Sequence, residues 1–296
     1  MDVRGRRDAR ADGVPAPPPE GGMLWDLVGD VRALLTTPAA MVMQVAHPAV
    51  AAGVGDHSVF RTDPWGRAAR SLHSMQLWVY GGERAAAEGE RLLRLHRHIR
   101  GTDARGRPYD ALDPATYAWV HATGFPVMCH AQRYFGRPFT DGQERRLYAE
   151  WRCVGQVLGV PESELPRTVE EFRARYARVL AGGLERTAVV RDLLSVTLPV
   201  PPPDRGPRPL RAVLRAAWPA LTPALLRFRR FVTTGLVPPD ARAAIGLEWT
   251  PRQERRLRRF GRAVRVLLPL LPERLRYLPL ARDARRAARR RDRSRA

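Results

Sequence analysis

The sequence predicts an all-α protein: a single large helical domain, a basic helical C-terminal extension and disordered tails. Three observations carry this. Helix-start signals recur along the chain. Between them, apolar residues fall at helical spacing, as in Leu147, Trp151, Val154 and Leu158. No run alternates with period two, and no Asn-Gly or Asp-Gly turn joins two such runs.

Taken in order, residues 1–20 are rich in Arg, Ala and Pro and are expected to be disordered. Leu34 to Val54 is the longest apolar run. It contains Pro38, Gln44, His47 and Pro48, which would be costly in lipid, so it is expected to be a buried helix that His47 and Pro48 end or kink. Asp63-Pro64 and Asp113-Pro114 place a cap before a proline at the first helical position. Thr140 with Gln143, Thr168 with Glu171, and Thr250 with Gln253 have capping-box spacing. Stops follow at Gly81-Gly82, Gly101, Gly124, Gly159 and Gly182-Gly183. The proline-dense stretch 198–208 marks a linker, and helices resume near 210 and include 251–268. Val264 to Leu280 is broken by three prolines and carries arginines among its leucines, a composition suited to lying on an anionic membrane surface. No membrane span is expected.

The chain has 296 residues, and all 51 of its basic residues are arginine. Without lysine there is no Schiff-base lysine, Walker-A lysine or lysine general base. Residues 201–296 hold 25 arginines against seven acids, whereas residues 1–200 are near neutral. Arg282 to Arg295 holds eight arginines and two aspartates and is expected to be a solvated tail. Cys129 and Cys153 form neither a disulfide framework nor a CxxC site, which suits a reducing interior. Arg6-Arg7 precedes Pro-rich sequence rather than an apolar segment, so no signal peptide is expected and the protein is expected to be cytoplasmic, with a peripheral membrane contact.

All seven histidines lie between positions 47 and 130, pointing to metal or haem ligation or proton transfer there. On a helix, Leu92, Leu93, His96 and Ile99 share one face. His96 is therefore either an inward-facing iron ligand with arginines nearby for anionic groups, or a core histidine bonded to a backbone carbonyl. His121 follows Tyr117 by one turn, as a ligand, an acid–base group or a packed histidine. His57 sits in a polar stretch suited to ligand contacts. Arg70 and Ser74 are four apart, a spacing that can steer an anion or dioxygen, or else lie on a solvated face.

These residues resemble a known family. QVAHPAVAAGVGDHSVFRTDPWGRAAR, VYGG, LHRHIRG, YDALDPATYAWVHATG and YAEWRCVGQVLGVPESELPRT, in that order, are similar to the MpaB-type oxygenases, which share a catalytic domain with the rubber oxygenases (latex-clearing proteins). The resemblance covers roughly residues 23–235. It implies a globin-like core and a b-type haem supporting dioxygen-dependent cleavage of a carbon–carbon double bond. Through the HxxIxG segment it makes His96 the proximal iron ligand and Arg100 its neighbour. Arg70 and Ser74 take the place of an arginine–threonine pair near the haem. A lysine-gated resting state is impossible here, which argues against polyisoprene as substrate. The catalytic domain is thereby placed at 21–235, a basic extension at 236–280 and an Arg-rich tail at 281–296.

The expected function is a haem-dependent oxygenase acting with dioxygen on a hydrophobic, isoprenoid- or lipid-like molecule, with catalytic Arg70, Ser74 and His121. Met41, Met43, Trp65, Trp78 and Trp119 would line its pocket. One alternative holds non-haem iron by His96, His121 and Asp113. Another is a non-enzymatic scaffold whose basic third docks on anionic membrane or nucleic acid. No helix-turn-helix, zinc finger or aromatic platform supports nucleic acid. Substrate identity and oligomeric state are not specified by the sequence.

Overall fold

A computed structural model describes residues 15–197, 200–203 and 207–295. The first helices are α1 (Met23–Gly29), α2 (Ala33–Ala46), α3 (Pro48–His57), α4 (Pro64–Tyr80) and α5 (Arg84–His96). A small hairpin follows, β1 (Arg100–Thr102) and β2 (Pro108–Asp110). Then come α6 (Pro114–Ala122), α7 (Gly124–Phe135), α8 (Asp141–Val157), α9 (Val169–Gly182) and α10 (Ala188–Leu193). The chain continues with α11 (Arg208–Leu236), α12 (Pro239–Ile245), α13 (Pro251–Leu267), α14 (Glu273–Arg276) and α15 (Pro279–Arg295). Among the described residues the protein is all-α apart from the hairpin and one isolated bridge between Asp30 and Tyr277.

The expected caps are in place, except that Thr168 caps α9 without completing its box, because Glu171 accepts from the Arg167 amide. Asp63 accepts a hydrogen bond from the Gly66 amide and Asp113 from that of Thr116, while Thr140 and Thr250 form complete capping boxes. Each satisfies amides that have no partner within the helix.

Helix α2 is the centre of the core. Ala39, Val42, Met43 and Ala46 are fully buried, and α1, α3, α7, α10 and α11 pack around it. The chain then turns by 107° between α2 and α3. Pro48 excludes the helical conformation from the preceding residue, and His47 is extended at φ −76, ψ 124. The apolar run is thus two helices meeting at His47. Among the described residues, no single helix is long and apolar enough to cross a membrane.

Two expectations need correction. First, the hairpin was not foreseen. Arg100 pairs with Asp110 and Thr102 with Pro108, and Asp103 holds the turn by accepting from the amides of Arg105 and Arg107. A side-chain-nucleated turn between three-residue strands leaves no period-two signal. Second, residues 281–295 are not a disordered tail but most of α15. Ala281 is fully buried, Ala284 and Ala288 pack on the core, and Arg285, Arg289 and Arg291 pair with Asp26, Glu273 and Glu20. Gly29 makes the approach possible, since a Cβ there would lie 2.6 Å from the Ala281 Cβ. The alanine stripe at helical spacing was masked by its arginines. Part of the expected linker 198–208 lies outside the described residues, as do residues 1–14 of the expected N-terminal tail. Residues 200–203 have no regular structure but are pinned, with the indoles of Trp218 and Trp65 donating to the carbonyls of Val200 and Pro201 at 2.7 Å.

Candidate functional site

Helices α4 and α5 form an antiparallel pair, reversed at Gly81 and Gly82, where Gly82 adopts a positive φ of 56°. One contact fixes their register. Ser74 donates to the buried carboxylate of Glu88 at 2.5 Å. Seven residues earlier on α4, Arg67 lies close enough to His96, eight residues after Glu88, to act on its ionisation. Glu88, Leu92 and His96 form one stripe of α5 at helical spacing, and Arg67, Ser71 and Ser74 form the facing stripe of α4.

The position of α5 is set on its other side by α8. A Cβ built on Gly89 would come within 1.9 Å of the Val157 carbonyl oxygen, so only glycine allows the two backbones to cross there. Glu88 also receives two hydrogen bonds from Arg91, each at 2.7 Å. Arg91 first, with help from Ser74, holds the Glu88 carboxyl below its usual range against the opposing effect of burial.

His96 is the last residue of α5 and is half-buried. Its Nδ1–H donates to the Leu92 carbonyl at 2.7 Å, and its ring meets Tyr117 edge-on at 6.0 Å between centroids. The Tyr117 hydroxyl in turn donates to the Leu158 carbonyl. Burial lowers the pKa of His96, opposed by the Leu92 bond and reinforced by the charges of Arg67 and Arg91. Because the Leu92 carbonyl can only accept, a proton sits on Nδ1 in this bond, and burial disfavours a second proton on Nε2. This bond is common to both readings of His96, the core histidine and the metal-ligating imidazole held by a backbone carbonyl. Arg67 is itself half-buried, donates to Ser71 Oγ, and has its pKa lowered by burial and then by Arg70.

Other residues singled out from the sequence lie elsewhere. Arg70 does not pair with Ser74. It is exposed and bridges to Asp63 at 3.2 Å on the outer side of α4, while Ser74 is spent on Glu88. The arginine–hydroxyl pair on the α5-facing stripe is Arg67 and Ser71, at the same four-residue spacing. Arg100 is not on the helix that carries His96; it is an exposed residue of β1 opposite Asp110.

His121 is buried against Trp151, the rings stacked 4.7 Å apart, and its Nε2–H donates to the Trp151 carbonyl at 3.0 Å. Burial lowers its pKa to about 4. These contacts are those of a packing histidine. Asp113 is occupied as the cap of α6. Among the described residues no group of three or more His, Cys, Asp or Glu side chains could hold a metal ion, so His96, His121 and Asp113 do not form the expected facial site. His130 likewise donates from Nε2 to the Gly235 carbonyl, and burial lowers its pKa to about 4. His57 ends α3 beside Tyr109, whose hydroxyl donates to Asp56 at 2.6 Å. His47 carries a buried Nδ1 without a partner.

The expected pocket wall is also divided. Met43 is in the core, with its carbonyl accepting from the buried Trp119 indole, and Trp65 is exposed on the surface. Met41 and Trp78 are half-buried, and the Trp78 Nε1 is buried without a partner.

Comparison with known proteins agrees with this architecture. Residues 25–266 match the model of the "ER-bound oxygenase mpaB/B'/Rubber oxygenase, catalytic domain". Similar proteins include uncharacterized protein Rv2237 of Mycobacterium tuberculosis and uncharacterized protein Mb2261 of Mycobacterium bovis. Each is 30% identical over 247 residues, covering 81% of this chain and 91% of the relative. No solved structure matches the chain significantly. With most of its length inside the matched domain, the chain belongs to the mpaB/rubber oxygenase catalytic-domain family, a family of oxygenases.

Proposed function

We propose that the protein is a haem-dependent oxygenase that uses dioxygen on a hydrophobic, isoprenoid- or lipid-like substrate, attacking a carbon–carbon double bond. The observation that carries this reading is the state of His96. The imidazole is oriented by the Leu92 carbonyl through Nδ1, burial favours its neutral form, and Nε2 is the ring atom left to bind a ligand. Haem iron needs one such protein ligand, and a histidine with Nε2 left to bind fits that requirement. When bound, haem would supply the iron chemistry that activates dioxygen.

The chain's own residues would hold and tune the group. His96 would bind through Nε2, with the Leu92 carbonyl fixing ring orientation and strengthening its donor character. Arg67 would place a positive charge beside it, available to an anionic group or a developing negative charge. Ser71 would orient Arg67 by accepting its hydrogen bond. The Ser74–Glu88–Arg91 network would hold α4 and α5 in register beneath them.

Oxygen uptake by the haem-loaded protein tests the activity. Uptake that requires an unsaturated isoprenoid or lipid, and is absent with its saturated analogue, is the expected result. Equal uptake with both would contradict attack on a double bond.

A further inference from the structure

Large apolar side chains face solvent at one end of the molecule. On α11 these are Leu221, Leu225 and Phe228; at and after the end of α13 they are Leu267, Leu270 and Leu271, with Leu270 76% exposed. Contacts between the helices bring the two stretches to the same end. A Cβ on Gly235 would touch Leu257, the Arg256 guanidinium lies 5.6 Å over the Phe231 ring, and the Phe228 and Phe260 rings meet edge-on at 5.3 Å. Increasing numbers on α11 thus meet decreasing numbers on α13. The turns before Phe228 and the last turns of α13, with the leucines that follow, therefore run toward the same end.

The segments that form this face are cationic. Residues 208–236 and 255–272 contain no acidic side chain. Of the flanking acids, Glu254 is engaged by Arg258 and Tyr134 and Glu273 by Arg289, while Glu248 shares a cavity with Arg227 and Arg230. Arg227, Arg262 and Arg274, on or next to the same segments, are exposed. An apolar face of this extent, framed by cations, is unusual on a surface in contact only with water. A second copy of the chain would bring one set of arginines against another, in a molecule of net charge +21. Anionic lipid matches both features at once, apolar acyl chains for the leucines and phosphates for the arginines.

We propose that the end of the molecule formed by Leu221, Leu225, Phe228 and the 267–271 leucines docks on an anionic bilayer surface without crossing it. The arginines of α15 are not the anchor, because Arg285, Arg289 and Arg291 are paired within the fold. This docking does not depend on the cofactor reading.

Flotation of the full chain with vesicles tests it, using phosphatidylcholine alone and phosphatidylcholine mixed with phosphatidylglycerol. Binding to the mixed vesicles and little to the neutral ones is expected. A Leu267→Ser/Leu270→Ser/Leu271→Ser variant should lose about tenfold or more of the partition coefficient. Arg262→Glu/Arg274→Glu should lose at least about tenfold. Both variants should keep the parent melting temperature, since the altered side chains are exposed. Equal binding to both vesicle types, or binding unchanged in either variant, overturns the proposal. So does a dimer in sedimentation velocity that the leucine substitutions dissolve, since the face then belongs to a second copy.

Discussion

Ser74 Oγ lies 2.5 Å from Glu88 Oε1, and this buried hydrogen bond locks α4 to α5 two turns before His96. A hydrogen bond to a charged group contributes about 1.5–3 kcal/mol, so Ser74→Ala should lower the unfolding free energy by about that amount. Urea denaturation checks it. No loss would mean that Arg91 alone satisfies the carboxylate.

The same carboxylate makes stability depend on pH. The folded-state pKa of Glu88 is below its ordinary value of 4.5. Its contribution is therefore fully present above that value and is lost as the pH falls through the folded pKa. Glu88→Gln should flatten this part of the acid limb in a pH series of denaturation midpoints. An unchanged acid limb would remove Glu88 from the account.

Gly89 tests the α5–α8 crossing. Gly89→Ala would press a methyl group on the Val157 carbonyl, at an expected cost of about 1–3 kcal/mol or more. Gly142→Ala, on the same class of helix with nothing within 4 Å, should be neutral or stabilising by up to about 1 kcal/mol. Thermal denaturation of the two variants separates crowding from glycine's intrinsic helix cost.

Arg67 and Arg70 should behave differently although they are three residues apart. Arg67→Ala removes a positive charge that lowers the His96 pKa, so that pKa should rise in an NMR titration of the ring. Arg70→Ala breaks an exposed pair with Asp63 and should change stability by no more than about 1 kcal/mol. Equal displacement of the His96 titration by both substitutions would contradict the assignment of Arg67 to the inner stripe.

Local chemistry made much of this fold legible. Asp63, Asp113, Thr140 and Thr250 cap the helices expected of them because capping requires only a side chain and the next turn's amides. The His47-Pro48 bend was legible for the same reason. What escaped depends on helix phase and on partners distant in sequence. Arg70 and Ser74 have the right spacing, but the pairing of Ser74 with Glu88 leaves Arg70 on the outer face. The alanine stripe of α15 has meaning only once Gly29 is known to leave room for it. His121 shares a helix with Tyr117, yet Trp151, thirty residues on, takes its Nε2.

The most direct test of the central claim is a pyridine haemochrome assay with an absorption spectrum, on parent and His96→Ala protein expressed with haem supplied. Circular dichroism would establish that both are folded. The account predicts about one haem per parent chain, from the single ligand stripe of α5, and loss of the Soret band in the variant. A folded His96→Ala protein that retains a full complement of haem would contradict it.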